Sequence, residues 1–213
     1  MKYPNAADGV KKIFVSEVIG LAASVLAVIS SVTGLLFYDD LRFAGLAAAA
    51  VIALLVAGGV YAAAYILEIV GILRAGRDES AFKVSLFSII ALLVLTLAGE
   101  FFYGNHVVSF IIEIAEDVAQ FFLVHYIIHG IMHISERLGK PEMTKKGNNI
   151  FRVIYIAIGF EIIVRVFELI FGKELGESLS MPFGVIANIL KTVESIMFLI
   201  YIGKGNRLLK ESK

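Results

Sequence analysis

Six long apolar runs separated by short polar turns limit this chain to a helical bundle threaded through a bilayer. A membrane-crossing helix needs about 20 mainly apolar residues at about 1.5 Å rise each. Such stretches are read at Ile13–Tyr38, Leu41–Leu73, Ala81–Tyr103, Val107–Ile134, Ile150–Phe171 and Pro182–Ile202. The chain has 213 residues, 59% of them hydrophobic, and a water-soluble fold of that size cannot hide so much apolar surface. The expected fold class is all-α: a polytopic membrane helix bundle of six transmembrane helices, forming a single integral membrane domain over residues 1–213.

The turns carry the residues that stop and start helices. Asp39-Asp40 suits a tight turn that caps the next helix. Gly76 followed by Asp78 closes one helix and opens another, and Gly104-Asn105 does the same further on. Gly139 and Pro141 stop the fourth helix, and the polar stretch from about Glu136 to Asn149 reads as a connector. Ser180 and Pro182 mark the start of the sixth, since proline suits a first helical turn. The first run is too long for a signal-peptide core and contains Glu17, so it is expected to be a retained span.

Charge then orients the bundle. Fifteen of the nineteen Lys and Arg residues lie on one side of this six-span arrangement. Arg42 and Lys173 lie on the other, and Arg165 and Lys191 fall inside spans. By the positive-inside rule the rich side is cytoplasmic, which places both termini inside. The expected location is the cytoplasmic (plasma) membrane of a prokaryotic-type cell.

The odd-numbered spans begin alike, with Phe14, Phe82 and Phe151 spaced 68 and 69 residues apart. That spacing fits three helical hairpins in series, although similar chemistry at helix starts explains it as simply. Small residues form faces on the first two spans: Gly20, Ser24, Ala27 and Ser31 on one, and Ala50, Ala57 and Ala64 on the other. Such faces let helices approach closely. They serve either to pack these two spans together or to dock a second copy or a partner membrane subunit. The lipid bilayer is the other expected partner. Balanced charge, with nineteen basic and nineteen acidic residues, argues against nucleic acid.

Ionisable groups within spans are costly and mark either register-setting pairs or solute paths. The fifth span places Glu161, Arg165 and Glu168 on one stripe, and the sixth places Asn188, Lys191, Glu194 and Ser195 on another. Counted from the turn they share, Glu161 and Lys191 lie about 16 Å and about 14 Å deep, so an ion pair is expected between them. The fourth span adds Glu113, Glu116, Asp117 and Gln120 within about one third of its wheel. Asp117, Gln120, Glu161, Arg165, Lys191 and Glu194 are therefore the candidate substrate or ion path.

Histidines recur every four residues at His125, His129 and His133. Steps of four keep them on one face, and two of them with Glu68 from the second span have the residue types of a divalent-metal site. Proton relay and simple interfacial packing are the other readings. The sequence requires no cofactor. With no cysteine, disulfides, zinc–thiolate sites and cysteine nucleophiles are excluded. P-loop, GxSxG and HExxH patterns are absent, so enzyme chemistry is not favoured, with a metal-dependent intramembrane hydrolase as the remaining enzymatic reading.

No motif ties the chain to a family. In size and span count it is similar to the small six-span substrate-binding subunits of vitamin importers, an architectural likeness that carries no function. The first functional expectation is a small transport or permeation protein for an ion or small polar solute. The second is a non-enzymatic accessory, assembly or immunity-type membrane subunit that acts through helix–helix contacts.

Overall fold

A computed structural model describes residues 2–37, 44–102, 104, 106–171 and 173–212. They form six helices: α1 (Pro4–Phe37), α2 (Ala44–Ala75), α3 (Ala81–Phe102), α4 (His106–Arg137), α5 (Pro141–Phe171) and α6 (Lys173–Glu211). No strand occurs among the described residues. The Asp39-Asp40 turn, Arg42 and Asn105 lie outside them.

Four stretches are long and apolar enough to cross a membrane: Pro4–Gly34, Ala48–Ala75, Ala81–Phe102 and Met181–Glu211. The other two helices, α4 and α5, are as long but carry closely spaced ionisable groups: Glu113, Glu116 and Asp117 on one, and Glu161, Arg165 and Glu168 on the other. Large apolar side chains such as Leu55, Phe87 and Leu97 face outward, as expected of helices whose solvent is hydrocarbon.

Consecutive helices pack most extensively, α1 with α2, α3 with α4 and α5 with α6. The three hairpins then share one core at a single end of the bundle. Ile13, Ile72, Phe82, Ile131, Ile154 and Ile202, one from each helix, are almost wholly inaccessible there. These positions lie near the starts of odd helices and the ends of even ones, so both chain termini are at this end. The recurrent phenylalanines belong to it too. Phe82 lies over Gly130 of α4, Phe14 packs beside Gly203 of α6, and Phe151 stacks on His125 with ring centres 4.4 Å apart.

Two close approaches explain glycine where a larger residue would serve a helix better. A Cβ on Gly9 would lie 2.4 Å from the Gly71 carbonyl oxygen, and one on Gly130 would lie 2.6 Å from the Phe82 ring. The small face of α2 is likewise used within its own hairpin: Ala50, Ala57 and Ala64 are buried, with Gly34 and Gly20 of α1 opposite Ala50 and Tyr61.

Three helix boundaries differ from the sequence expectation. The polar segment 141–149 is the opening of α5, not a connector. Gly139, at φ 68°, ends α4, the Lys140 N–H bonds back to the Ser135 carbonyl at 2.9 Å, and Pro141 starts the next helix at once. The segment is helical because Met143, Gly147 and Ile150 present a buried apolar stripe, with Gly147 seated against Met132 of α4. At the other boundary α6 begins at Lys173, and Pro182 lies inside it. A mid-helix proline forfeits one backbone hydrogen bond, but the Lys, Glu and Leu residues before it favour helix and carry α6 across that gap. At the third, α1 begins nine residues before Ile13, with Pro4 in its first turn.

The α2–α3 turn also works differently from a simple stop and start. Asp78 does not cap α3. Its carboxylate accepts the Ala6 N–H of α1 and the Asn5 side-chain amide, both at 2.8 Å. The neighbouring Glu79 faces α3 and α4, as described below.

Candidate functional site

The ionic residues of α4, α5 and α6 converge as their spacing predicts. Glu161 and Lys191 form an ion pair between α5 and α6. A cavity of about 270 Å³ opens beside it, lined by Asp117, Gln120, Glu161, Lys191, Glu194 and Ser195. Five of the six expected path residues thus line one space. The sixth, Arg165, lies outside that lining and connects to it through Asp117. Its guanidinium meets Glu113 at 2.5 Å, Glu168 at 3.5 Å and Asp117 at 3.6 Å, tying α5 to α4. Glu116 leaves this group and accepts the Thr96 hydroxyl of α3 at 2.9 Å.

A second cavity, about 500 Å³, lies between α1, α2 and α6, with members from α3 and α4. Glu17 of α1 and Glu68 of α2 line it, along with Tyr61, Tyr65, Ser24 and Thr192. Gln120 and Ser195 line both cavities, so the two spaces adjoin at these side chains. Among the described residues neither Glu17 nor Glu68 has an ion-pair or hydrogen-bond partner. Together the cavities hold five carboxylates and one lysine.

Tyr65 is fixed by donating its hydroxyl to the Ile89 carbonyl of α3 at 2.5 Å. Ser195 and Thr192 donate to carbonyls one turn back, Lys191 and Asn188, each at 2.9 Å. Such back-bonding satisfies hydroxyls in an apolar helix.

The histidine ladder is present, but the metal set is not. His125, His129 and His133 stack along α4 with ring centres 6.3 and 6.0 Å apart. His125 packs on Phe151, His133 Nδ1 lies 3.2 Å from Glu79, and Glu68 lines the second cavity. Among the described residues no three His, Asp or Glu side chains converge so as to hold a metal. The physical reason is that each end of the ladder already has another partner, and Glu68 belongs to a different face of the bundle.

Glu79 was not visible as a site residue. It sits in the α2–α3 turn, 4% exposed, between His133 and Arg137 of α4, each at 3.2 Å. Its other oxygen accepts the Ala81 N–H at the start of α3. Burial by itself pushes the carboxyl pKa up. The His133 ring, the Ala81 N–H and the Arg137 charge outweigh this and hold it below its ordinary value of 4.5. The sequence signal is an acid just before a span, with His133 and Arg137 closing another; their meeting depends on tertiary packing. The placing of Glu17 and the hydroxyls beside one cavity depends on tertiary packing in the same way.

Comparison with known protein families, curated proteins and solved structures finds no match to this chain.

Proposed function

We propose that the protein is a small transport or permeation protein for an ion or small polar solute, and that its path runs through the two adjoining cavities. The observation that carries this reading is the lining: Asp117, Glu161 and Glu194 against Lys191 in one space, and Glu17 and Glu68 in the next. A register-setting network closes its charges in pairs; this one leaves carboxylates facing open volume between apolar helices. Acidic groups in such a setting attract cations, so a cation is the favoured solute. In this reading all six helices cross the bilayer and the basic end, with both termini, faces the cytoplasm of a prokaryotic-type cell.

The test is flux through purified protein in liposomes under an imposed proton, sodium or potassium gradient. Wild-type protein is expected to dissipate at least one of these gradients, and Lys191→Met, which leaves Glu161 unpaired beside the cavity, is expected to alter the rate strongly. Flux no greater than that of empty liposomes for all three cations overturns the reading.

A second reading, an accessory subunit acting through helix contacts, is favoured by the outer side of α2. Gly58, Gly59, Ala62 and Ala63 are exposed there, and nothing lies within 4 Å of a Cβ built on either glycine. A second copy or a partner membrane helix fits such a surface. Cross-linking from a cysteine placed at Ala62 in native membranes separates the two readings.

A further inference from the structure

At the basic end, the start of α5 and the end of α6 enclose a cleft of about 900 Å³. Lys140 and Lys146 line it from one side, and Lys204 and Arg207 from the other. Among the described residues the three lysines have no ion-pair partner. Arg207 is held by Glu211 at 2.9 Å, and Glu142 is the remaining acid in the lining. The cleft therefore carries an uncompensated positive charge. Its wall is not wholly polar: Met143, Leu138 and Leu208 also line it, so a ligand there meets cations and hydrocarbon side by side.

We infer that this cleft binds the phosphate of an anionic phospholipid headgroup. Lysines are point-charge donors suited to phosphate, and a basic pocket between helices at the membrane boundary is placed to meet such headgroups. Lys204 follows within two residues of Ile202, the last apolar residue of the α6 run, so its ammonium reaches the level at which lipid phosphates lie. The apolar wall favours a lipid over free phosphate, because glycerol and upper acyl carbons can cover it. The inference requires the bundle to sit in a bilayer but does not depend on transport through the two cavities.

The test is calorimetric titration of the full-length protein in nonionic detergent with short-chain phosphatidylglycerol, short-chain phosphatidylcholine and inorganic phosphate. Saturable binding of phosphatidylglycerol is expected, with phosphatidylcholine and phosphate much weaker. The Lys146→Gln/Lys204→Gln variant is expected to bind phosphatidylglycerol about thirtyfold more weakly, the loss of two near-surface cations. A charge-matched control, Lys11→Gln/Lys83→Gln, removes two exposed lysines of the same end from outside the cleft and is expected to bind as wild type. Equal binding of phosphatidylcholine overturns the inference, as does phosphate binding as tightly as the lipid. An equal loss in the control variant overturns the assignment to the cleft. Each readout is independent of ion flux, so failure here leaves the transport reading standing, and the converse.

Discussion

Glu79 offers a sharp test of how the α2–α3 turn is anchored, because its carboxylate touches two helices, α3 and α4, through groups of different kinds. Its contact to Arg137 is a charge interaction and its contact to the His133 ring a polar one, and those side chains are 46% and 44% exposed. Solvent screens such half-exposed partners, so each contributes at most about 1 kcal/mol. The contact to the Ala81 N–H is a helix cap, whose loss costs about 1 kcal/mol. Glu79→Gln keeps an acceptor for Ala81 but removes the charge, so it is expected to cost roughly 1–2 kcal/mol. Glu79→Ala removes both and is expected to cost roughly 2–3 kcal/mol. For a chain of this size 1 kcal/mol corresponds to about 2–4 °C in Tm. The assay is thermal unfolding of purified protein in detergent, followed by circular dichroism, at a series of pH values. Because the folded carboxyl titrates below its ordinary 4.5, its stabilisation is fully present above that value. It fades as pH falls through the lower, folded value. The gap between wild type and Glu79→Gln is therefore expected at pH 7 and to close in acid, while the gap between Gln and Ala persists. If Glu79→Gln matches wild type at pH 7, or if its deficit is unchanged in acid, the carboxylate does not anchor the α2–α3 turn to α4 by charge.

Two other substitutions probe different parts of the bundle. Gly9→Val is expected to separate the basic ends of α1 and α2, since the clash is with a backbone oxygen at 2.4 Å that no rotamer change relieves. Overpacking of this kind costs about 1–3 kcal/mol, read as a lower Tm. Arg165→Gln leaves Glu113, Asp117 and Glu168 without their shared cation. Stability is expected to fall by about 1–3 kcal/mol, less than for a fully buried pair because the arginine is part-exposed; a Tm equal to that of wild type refutes it.

What could be read from the sequence divides along a physical line. Glu161 and Lys191 were legible as partners because both are counted from one shared turn, and helical rise converts residue number into depth. The hairpin order was legible for a similar reason: short turns force neighbours together. The rotation of one hairpin against another was not, because apolar helices tolerate many facings. Hence the adjoining of two cavities at Gln120 and Ser195, and the meeting of Glu79 with His133, appear only in three dimensions. The opening of α5 is hidden in the sequence because segment 141–149 is polar by composition, and the stripe of Met143, Gly147 and the following Ile150 is too sparse to stand out. Pro182 has the local preference of a helix start, whereas the helix runs through it. The histidine spacing defines one face, along which the rings stack, but a face does not reveal which groups oppose it.

The shared core has a consequence for biogenesis. Ile13 is made well before Ile202, and both belong to one knot. At ordinary rates of synthesis the interval between them is on the order of ten to forty seconds. During it the first hairpin is already complete but lacks the neighbours that bury its basic end. The nascent chain thus passes through a stage in which Ile13 and Ile72 await cover, and a cell that slows translation between α2 and α6 lengthens that exposure.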